Sequence, residues 1–204
     1  KEEVLQLGFA TSELALKSQS ANTLVKRDGS WSATSTDGTG FLQALAHREF
    51  TDFSSVLILG AGGTARAIAA SLDGIADSIT VLGRTSTREE SFERIVSHSK
   101  FSYVIWSNAL SLEPFSLVVN TTPAGAADLL AEGIEGDISC LLFDVIYKPW
   151  PTLLASAWEN RSGTVINGKE LLLWQGLDQL ALVLSQEIDR DSISTHLRKV
   201  LFQL

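Results

Sequence analysis

Val56-Leu57-Ile58-Leu59 runs straight into Gly60-Ala61-Gly62-Gly63-Thr64-Ala65, and a helical pattern follows at once to Leu72. A buried strand, a tight glycine turn and a helix start, in that order, leave few folds open. They are also the order a dinucleotide site requires. The first glycine permits the sharp turn, and the second lets backbone approach a pyrophosphate. The helix N-terminus then offers amides and the positive end of its dipole to that anion. Alone, the loop leaves two readings open, because strand-to-helix turns also use glycine for purely structural reasons.

The next predicted strand, 78–82, ends in Gly83-Arg84-Thr85-Ser86-Thr87-Arg88. A site for NAD usually offers the ribose 2′-hydroxyl a carboxylate at this point. Here two arginines sit four apart instead, a spacing that lets both fork-shaped guanidinium groups reach a 2′-phosphate. One helical turn beyond Arg88 stand Ser91 and Phe92, so its own helix offers it no acidic partner. Ser86 with Glu89 has the form of a capping box, which places a helix start there. These residues favour NADP over NAD.

From residue 53 onward strands and helices alternate. The pattern predicts strands at 55–60, 78–82, 102–106, 116–120, 139–146 and 164–166. Helices are predicted at 63–73, 86–98, 151–160, 169–186 and near 191–203, with a Gly/Ala-rich loop at 122–136. Near-continuous apolar strands between helices predict an α/β chain with a Rossmann-like, doubly wound parallel sheet covered on both faces. In helix 169–186, Leu172, Leu173, Gly176, Leu177, Leu180 and Leu184 mark the apolar side, with Lys169, Gln175 and Gln179 opposite. Residues 1–35 read as helical turns broken near Gly8, a strand at 22–26, a hairpin turn at Asp28-Gly29 and a returning strand at 31–35. Two short strands alone are marginal, so 1–36 reads as the tail of another α/β domain. The hinge between domains is placed at 36–40, before a helix at 41–47; taken by itself, Asp37 reads first as a cap for that helix. Residues 37–186 form the predicted cofactor domain, and 187–204 a helix packing back toward the first unit.

A net charge of −8 over 204 residues, without a basic run, argues against nucleic acid. No apolar run approaches the ~20 residues of a membrane span, and no signal peptide is visible. A cytoplasmic protein is expected. Cys140 is the only cysteine and lies in an apolar run, which predicts a buried, inert thiol and excludes a disulfide framework. His47, His98 and His196 are scattered surface candidates, so no metal is expected. The chain opens at Lys1 in mid-pattern and contains no methionine, which points to a piece of a longer polypeptide.

Across nearly the whole length, short motifs accumulate in a familiar order and spacing. They are Lys1-Glu2-Glu3, Ala21-Asn22-Thr23-Leu24, Thr36-Asp37-Gly38, the loop Gly60–Ala65, Arg84-Thr85, Asn120-Thr121-Thr122-Pro123, Asp144-Val145-Ile146-Tyr147, Pro149 with Thr152, and Gly168 with Gln175-Gly176. On these residues the chain resembles the shikimate dehydrogenase family. The resemblance implies an NADP domain facing a substrate domain across a cleft, and reversible reduction of 3-dehydroshikimate to shikimate in aromatic amino-acid biosynthesis, by a monomer or homodimer. It places Lys1 and Asp37 beside the hydroxyl that is oxidised. Removing hydride from a secondary alcohol requires the hydroxyl proton to leave as well, so a base belongs within hydrogen-bond reach. Which of the two takes the proton stays open.

The resemblance further assigns Asn22, Gln175 and Tyr147 to the substrate. The bland alternatives are a turn asparagine, a solvated helix glutamine and a half-buried tyrosine. It assigns Gly60, Ala61, Gly62, Gly63, Thr64 and Ala65 to the cofactor, with Arg84, Thr85 and Arg88 at the adenosine end. Asn120, Thr121, Thr122, Val145 and Gly168 belong to the nicotinamide end. Ser35 and Gly83 stand where the family usually has asparagine. The serines that grip the substrate carboxylate lie upstream of the lysine in the family, so the chain as given is expected to bind NADP with little turnover. A quinate/shikimate dehydrogenase preferring NAD and a cofactor-binding regulator without catalysis are the competing readings.

Overall fold

The computed structural model describes residues 1–107, 111, 112 and 114–203. A 3₁₀ turn, Glu3–Leu7, ends at Gly8 in the left-handed region (φ 72°). The predicted break therefore does more than interrupt a helix: it frees Ala10–Thr11 (β1) to pair before α1 (Glu13–Ser18). Strands β2 (Thr23–Arg27) and β3 (Ser30–Thr34) form the expected hairpin, with Asp28 and Gly29 both at positive φ in its two-residue turn. The small sheet has the order β1-β3-β2, so β1 supplies the third strand that the sequence reading lacked.

Helix α2 (Asp37–His47) starts at Asp37, four residues earlier than expected. Glycine makes this possible. A Cβ at Gly38 would lie 2.7 Å from the Ala67 carbonyl, and one at Gly40 would lie 2.6 Å from the Gln175 amide nitrogen. Backbone thus presses on backbone where side chains would hold the helices apart.

The second sheet follows from β4 (Val56–Leu59), α3 (Gly63–Leu72), β5 (Ser78–Gly83), α4 (Glu89–Ile95), β6 (Lys100–Ile105), β7 (Leu117–Asn120), α5 (Asp128–Glu132), β8 (Leu141–Asp144), α6 (Leu153–Glu159), β9 (Val165–Asn167), α7 (Gly168–Leu184) and α8 (Arg190–Leu201). All six strands are parallel, in the order β6-β5-β4-β7-β8-β9. This is the doubly wound arrangement, with its switch point between β4 and β7. One core face packs Phe41, Ile68, Phe143 and Leu173 beneath α2, α3 and α7. The other packs Leu57, Leu142, Leu154 and Trp158 beneath α5 and α6. Leu204, the last residue of the predicted C-terminal segment, lies outside the described residues. Helix α8 packs along α7, where Arg198 pairs with Glu170 at 2.7 Å.

Several boundaries differ from expectation. The Ser86–Glu89 capping box does not form: Ser86–Arg88 is a 3₁₀ turn, and neither side chain caps α4. The helix stops at Ile95 because Asp73 collects the amides of Ser97, His98 and Ser99 at 3.0, 2.7 and 3.1 Å. The loop at 122–136 contains α5. In α7 the buried face is Glu170, Leu171, Leu173, Trp174, Leu177 and Asp178, while Leu180 and Leu184 face outward. The paired Glu170 and Asp178 are covered by α8, which the leucine spacing did not reveal.

Gly83 ends β5 for a reason of its own. Tyr103 lies across it and donates its hydroxyl to the Thr85 carbonyl at 2.8 Å, and a Cβ at Gly83 would fall 1.8 Å from that hydroxyl. Gly83→Ala is therefore expected to cost about 1–3 kcal/mol, read as a lower Tm. Adding Tyr103→Val should cost less than the two separate losses combined.

Candidate active site

Lys1, Asn22, Asp37 and Gln175 come from four distant parts of the chain and meet at one point. Asp37 is buried, and its carboxylate accepts from the Lys1 ammonium and, at 2.7 Å, from Asn22 Nδ2. The Asn22 amide also donates to Gln175 Oε1 at 3.3 Å and to Thr36 Oγ1 at 3.0 Å, while its oxygen accepts the Thr36 amide. Thr64, on the first turn of α3, closes the group: Lys1 Nζ donates to its hydroxyl at 3.2 Å, and that hydroxyl lies 3.4 Å from Asp37. Asp37 is thus not a helix cap, for α2 has Thr36 at its cap position with no side-chain cap bond. Thr36 was missed by the sequence reading, although its place beside Asp37 offered a signal.

Chemically, the group is an ammonium and a carboxylate flanked by two amides; the Asn22 amide is fully engaged by Thr23, Thr36, Asp37 and Gln175, whereas the Gln175 amide nitrogen has no partner among the described residues. Lys1 remains partly exposed beside the fully covered Asp37 carboxylate. A hydroxyl-bearing molecule entering from that side meets both charge types within hydrogen-bond reach. Tyr147 does not join them. It stands half-exposed after β8, without a hydrogen bond among the described residues. Ser35 also stays apart, its hydroxyl buried and unpartnered beside Gly38 and Thr39.

The glycine loop lies at the carboxyl ends of the strands, where open α/β sheets hold ligands. Its glycines differ in purpose. Gly60 has φ 100°, and a Cβ there would sit 2.7 Å from Thr121 Oγ1. Gly63 is pressed by Ser20 at 2.7 Å. A Cβ at Gly62 would meet nothing within 4 Å, so internal packing gives no reason for glycine there. The space it leaves open fits a pyrophosphate drawn against the amides that begin α3. Ala61 and Thr64 flank that space and Ala65 is buried behind it.

At the end of β5, Arg84 is exposed and has no hydrogen-bond or ion-pair partner among the described residues. Thr85 is held through its carbonyl by Tyr103 and bonds Thr87 through its hydroxyl at 3.1 Å. Arg88 is not free: Glu2 accepts from it at 3.3 Å, a partner its own helix could not reveal.

Asn120, Thr121 and Thr122 reach the sheet's ligand edge, yet their polar side chains are committed inward. Asn120 Nδ2 donates to Asp144 at 3.1 Å, Thr122 Oγ1 bonds Asn120 Oδ1 at 2.7 Å, and Thr121 Oγ1 donates to the Leu59 carbonyl at 2.7 Å. Asp144 also accepts from Thr152 at 2.7 Å and from the Ile146 amide. Burial pushes its carboxyl above the ordinary range, against those donors. These residues present backbone, not functional side chains, to a ligand. A Cβ at Gly168 would lie 2.2 Å from the Val145 carbonyl, which fixes the approach of α7 to β8.

Cys140 is buried, and burial raises its thiol pKa; His47, His98 and His196 are exposed. Among the described residues, no group of three His, Cys, Asp or Glu side chains is placed to hold a metal ion, and no helix is long and apolar enough to cross a membrane.

No family model matches the chain. A shikimate dehydrogenase (NADP+) of Staphylococcus aureus is 28% identical over 201 residues, covering 96% of this chain and 73% of the relative. Among solved structures, Mycobacterium tuberculosis shikimate dehydrogenase is 28% identical with a TM-score of 0.84, over 98% of this chain and 75% of that one. The ligand-free 5-ketofructose reductase of Gluconobacter sp. strain CHM43 is 25% identical with a TM-score of 0.80, over 98% and 76%.

Proposed function

We propose that this chain, a homologue of the shikimate dehydrogenases, is an NADP-dependent oxidoreductase interconverting 3-dehydroshikimate and shikimate in aromatic amino-acid biosynthesis. The observation that carries the reading is the meeting of Lys1, Asp37, Asn22 and Gln175 in front of Thr64 on the cofactor helix. NADP, when bound, supplies the hydride acceptor or donor. The amides at Gly62, Gly63 and Thr64 hold the pyrophosphate, and Arg84, Thr85 and Arg88 hold the adenosine phosphate.

Lys1 and Asp37 bind the reacting hydroxyl and move its proton, one accepting it while the other orients the acceptor and balances its charge. Gln175 orients the remaining hydroxyls through its unengaged amide nitrogen, and Asn22 joins it by exchanging one of its contacts to Thr36, Asp37 or Gln175 for a substrate hydroxyl. Residues 1–36 act as the substrate side and residues 37–186 as the cofactor side. The test is steady-state turnover of the complete polypeptide with shikimate or quinate and either NADP or NAD. The reading requires shikimate with NADP as the best pair, and a clear NAD preference would overturn it. Arg84→Ala is expected to raise the KM for NADP about 10- to 100-fold, while leaving that for NAD within about twofold.

One finding favours a second reading. The likeness to 5-ketofructose reductase suits a site that addresses several hydroxyls with amides. 5-Ketofructose with NADPH therefore belongs in the same assay, and faster turnover of it would replace the cyclic acid as substrate.

A further inference from the structure

Lys1 and Glu2 are neighbours in sequence, but their side chains serve two different places. Lys1 reaches Asp37, whereas Glu2 bridges two arginines: Oε1 accepts from Arg66 Nη2 at 2.6 Å and Oε2 from Arg88 Nη1 at 3.3 Å. The two arginines are not alike. Arg66 is completely buried on α3, where it also donates to the carbonyls of Ser18 and Gln19 at 3.0 and 3.2 Å. A buried guanidinium needs a counter-ion, and Glu2 is its ion-pair partner. Arg88 is 47% exposed, its contact is longer, and it follows Arg84 by four residues. One oxygen of Glu2 is thus structural, and the other holds a group that a ligand can take away. The hydrogen bond from Arg66 is the main cause that keeps the Glu2 carboxyl below its ordinary range, so it carries its charge at neutral pH.

We infer that Glu2 is a positioning residue that holds Arg88 and competes with the cofactor's 2′-phosphate for it. Glu2 thereby tunes the choice between phosphorylated and unphosphorylated cofactor, and it ties the adenosine end to the segment that carries Lys1. This rests on Arg88 belonging to the cofactor site, as proposed above. A phosphate monoester brings nearly two charges and three acceptor oxygens against one shared carboxylate oxygen, so it wins the guanidinium. The pair it displaces is half-exposed and weak. Removing the charge of Glu2 takes away both the competitor and a like charge beside the incoming phosphate. Binding should therefore tighten, the opposite of what losing a merely structural contact would do.

Calorimetric binding of adenosine 2′,5′-bisphosphate and of 5′-AMP to the protein and its variants tests this without turnover. Glu2→Gln is expected to bind the bisphosphate about three- to tenfold more tightly, with 5′-AMP unchanged. The gain should vanish in an Arg88→Ala background. Glu2→Asp keeps a charge near Arg66 but is too short to span both arginines, and it should show the same tightening if Glu2→Gln does not fold. Unchanged or weaker bisphosphate binding, or an equal gain for 5′-AMP, overturns the inference. Arg88→Ala alone separates the two claims. If it leaves bisphosphate affinity unchanged, Arg88 is not in the cofactor site and the underlying reading fails. If it weakens that affinity while the Glu2 variants show no gain, only the competition fails.

Discussion

Lys1→Ala and Asp37→Asn are each expected to lower kcat by about 10²- to 10⁴-fold, the usual contribution of a positioned proton-transfer group. NADP affinity should change less than about threefold, because the hydrogen bonds of Lys1 and Asp37 go to each other, Asn22 and the Thr64 hydroxyl and none reaches Arg84, Thr85 or Arg88. The two changes should not be additive. Lys1, Asp37, Asn22 and Thr64 share one hydrogen-bond network, and groups that act as a unit lose most of their effect with the first deletion. The double variant should therefore fall little further than the worse single one. Stopped-flow measurement of the hydride-transfer step, alongside equilibrium NADP binding, distinguishes this from a folding defect. An unchanged kcat in Lys1→Ala would remove that residue from the chemistry.

The largest expected effect on stability belongs to Asp73, at the end of α3 and outside the site. Its covered carboxylate accepts three backbone amides, from Ser97, His98 and Ser99. It also bonds Lys17 of α1 and the His98 ring, each at 3.0 Å. Burial alone would raise its pKa, but His98, Lys17 and the amides outweigh burial and hold the carboxyl far below the ordinary range. Asp73→Ala is expected to cost about 3 kcal/mol, since it strands several donors at once. Asp73→Asn keeps the oxygen that serves the three amides and puts an amide NH2 in place of the oxygen that meets Lys17 and His98, so it should cost about half as much.

The sign of the pH dependence follows from the depressed pKa. The stabilisation is complete above the carboxyl's unfolded pKa, about 4, and drains away as pH falls toward the folded value. Urea unfolding at pH 7 and pH 3 should therefore show a smaller gap between Asp73→Asn and the parent protein at the lower pH. A gap that widens in acid would contradict this account.

Local chemistry was legible in the sequence. The apolar run before Gly60, the Asp28-Gly29 turn and the strand-helix alternation each state their own conformation, and the doubly wound sheet follows from them. What the sequence could not state is which distant charge meets which. The helix of Arg88 holds no acid within reach of it, whereas Glu2 approaches from the chain's first turn. Arg66 hides in a helix of small residues, and its burial depends on carbonyls of Ser18 and Gln19 supplied by α1. In the 169–186 helix the buried edge departs from the leucine spacing because α8 covers Glu170 and Asp178, polar residues that a periodicity argument puts outside. Asn120 and Thr122 sit at the correct edge of the sheet, but their side chains brace it from within. Position at the carboxyl end of a strand does not reveal which way a side chain turns.

The most direct measurement is a crystal structure of the protein with NADP+ and shikimate bound together. The account predicts that the hydroxyl undergoing oxidation lies within about 2.6–3.2 Å of Lys1 Nζ and of an Asp37 oxygen. Asn22 and Gln175 should contact its neighbouring hydroxyls, and the adenosine phosphate should lie between Arg84 and Arg88. Shikimate seated elsewhere, for instance in the cavity of about 800 Å³ beside Arg27, Asp178 and Arg190, with Lys1 and Asp37 touching neither ligand, would contradict it.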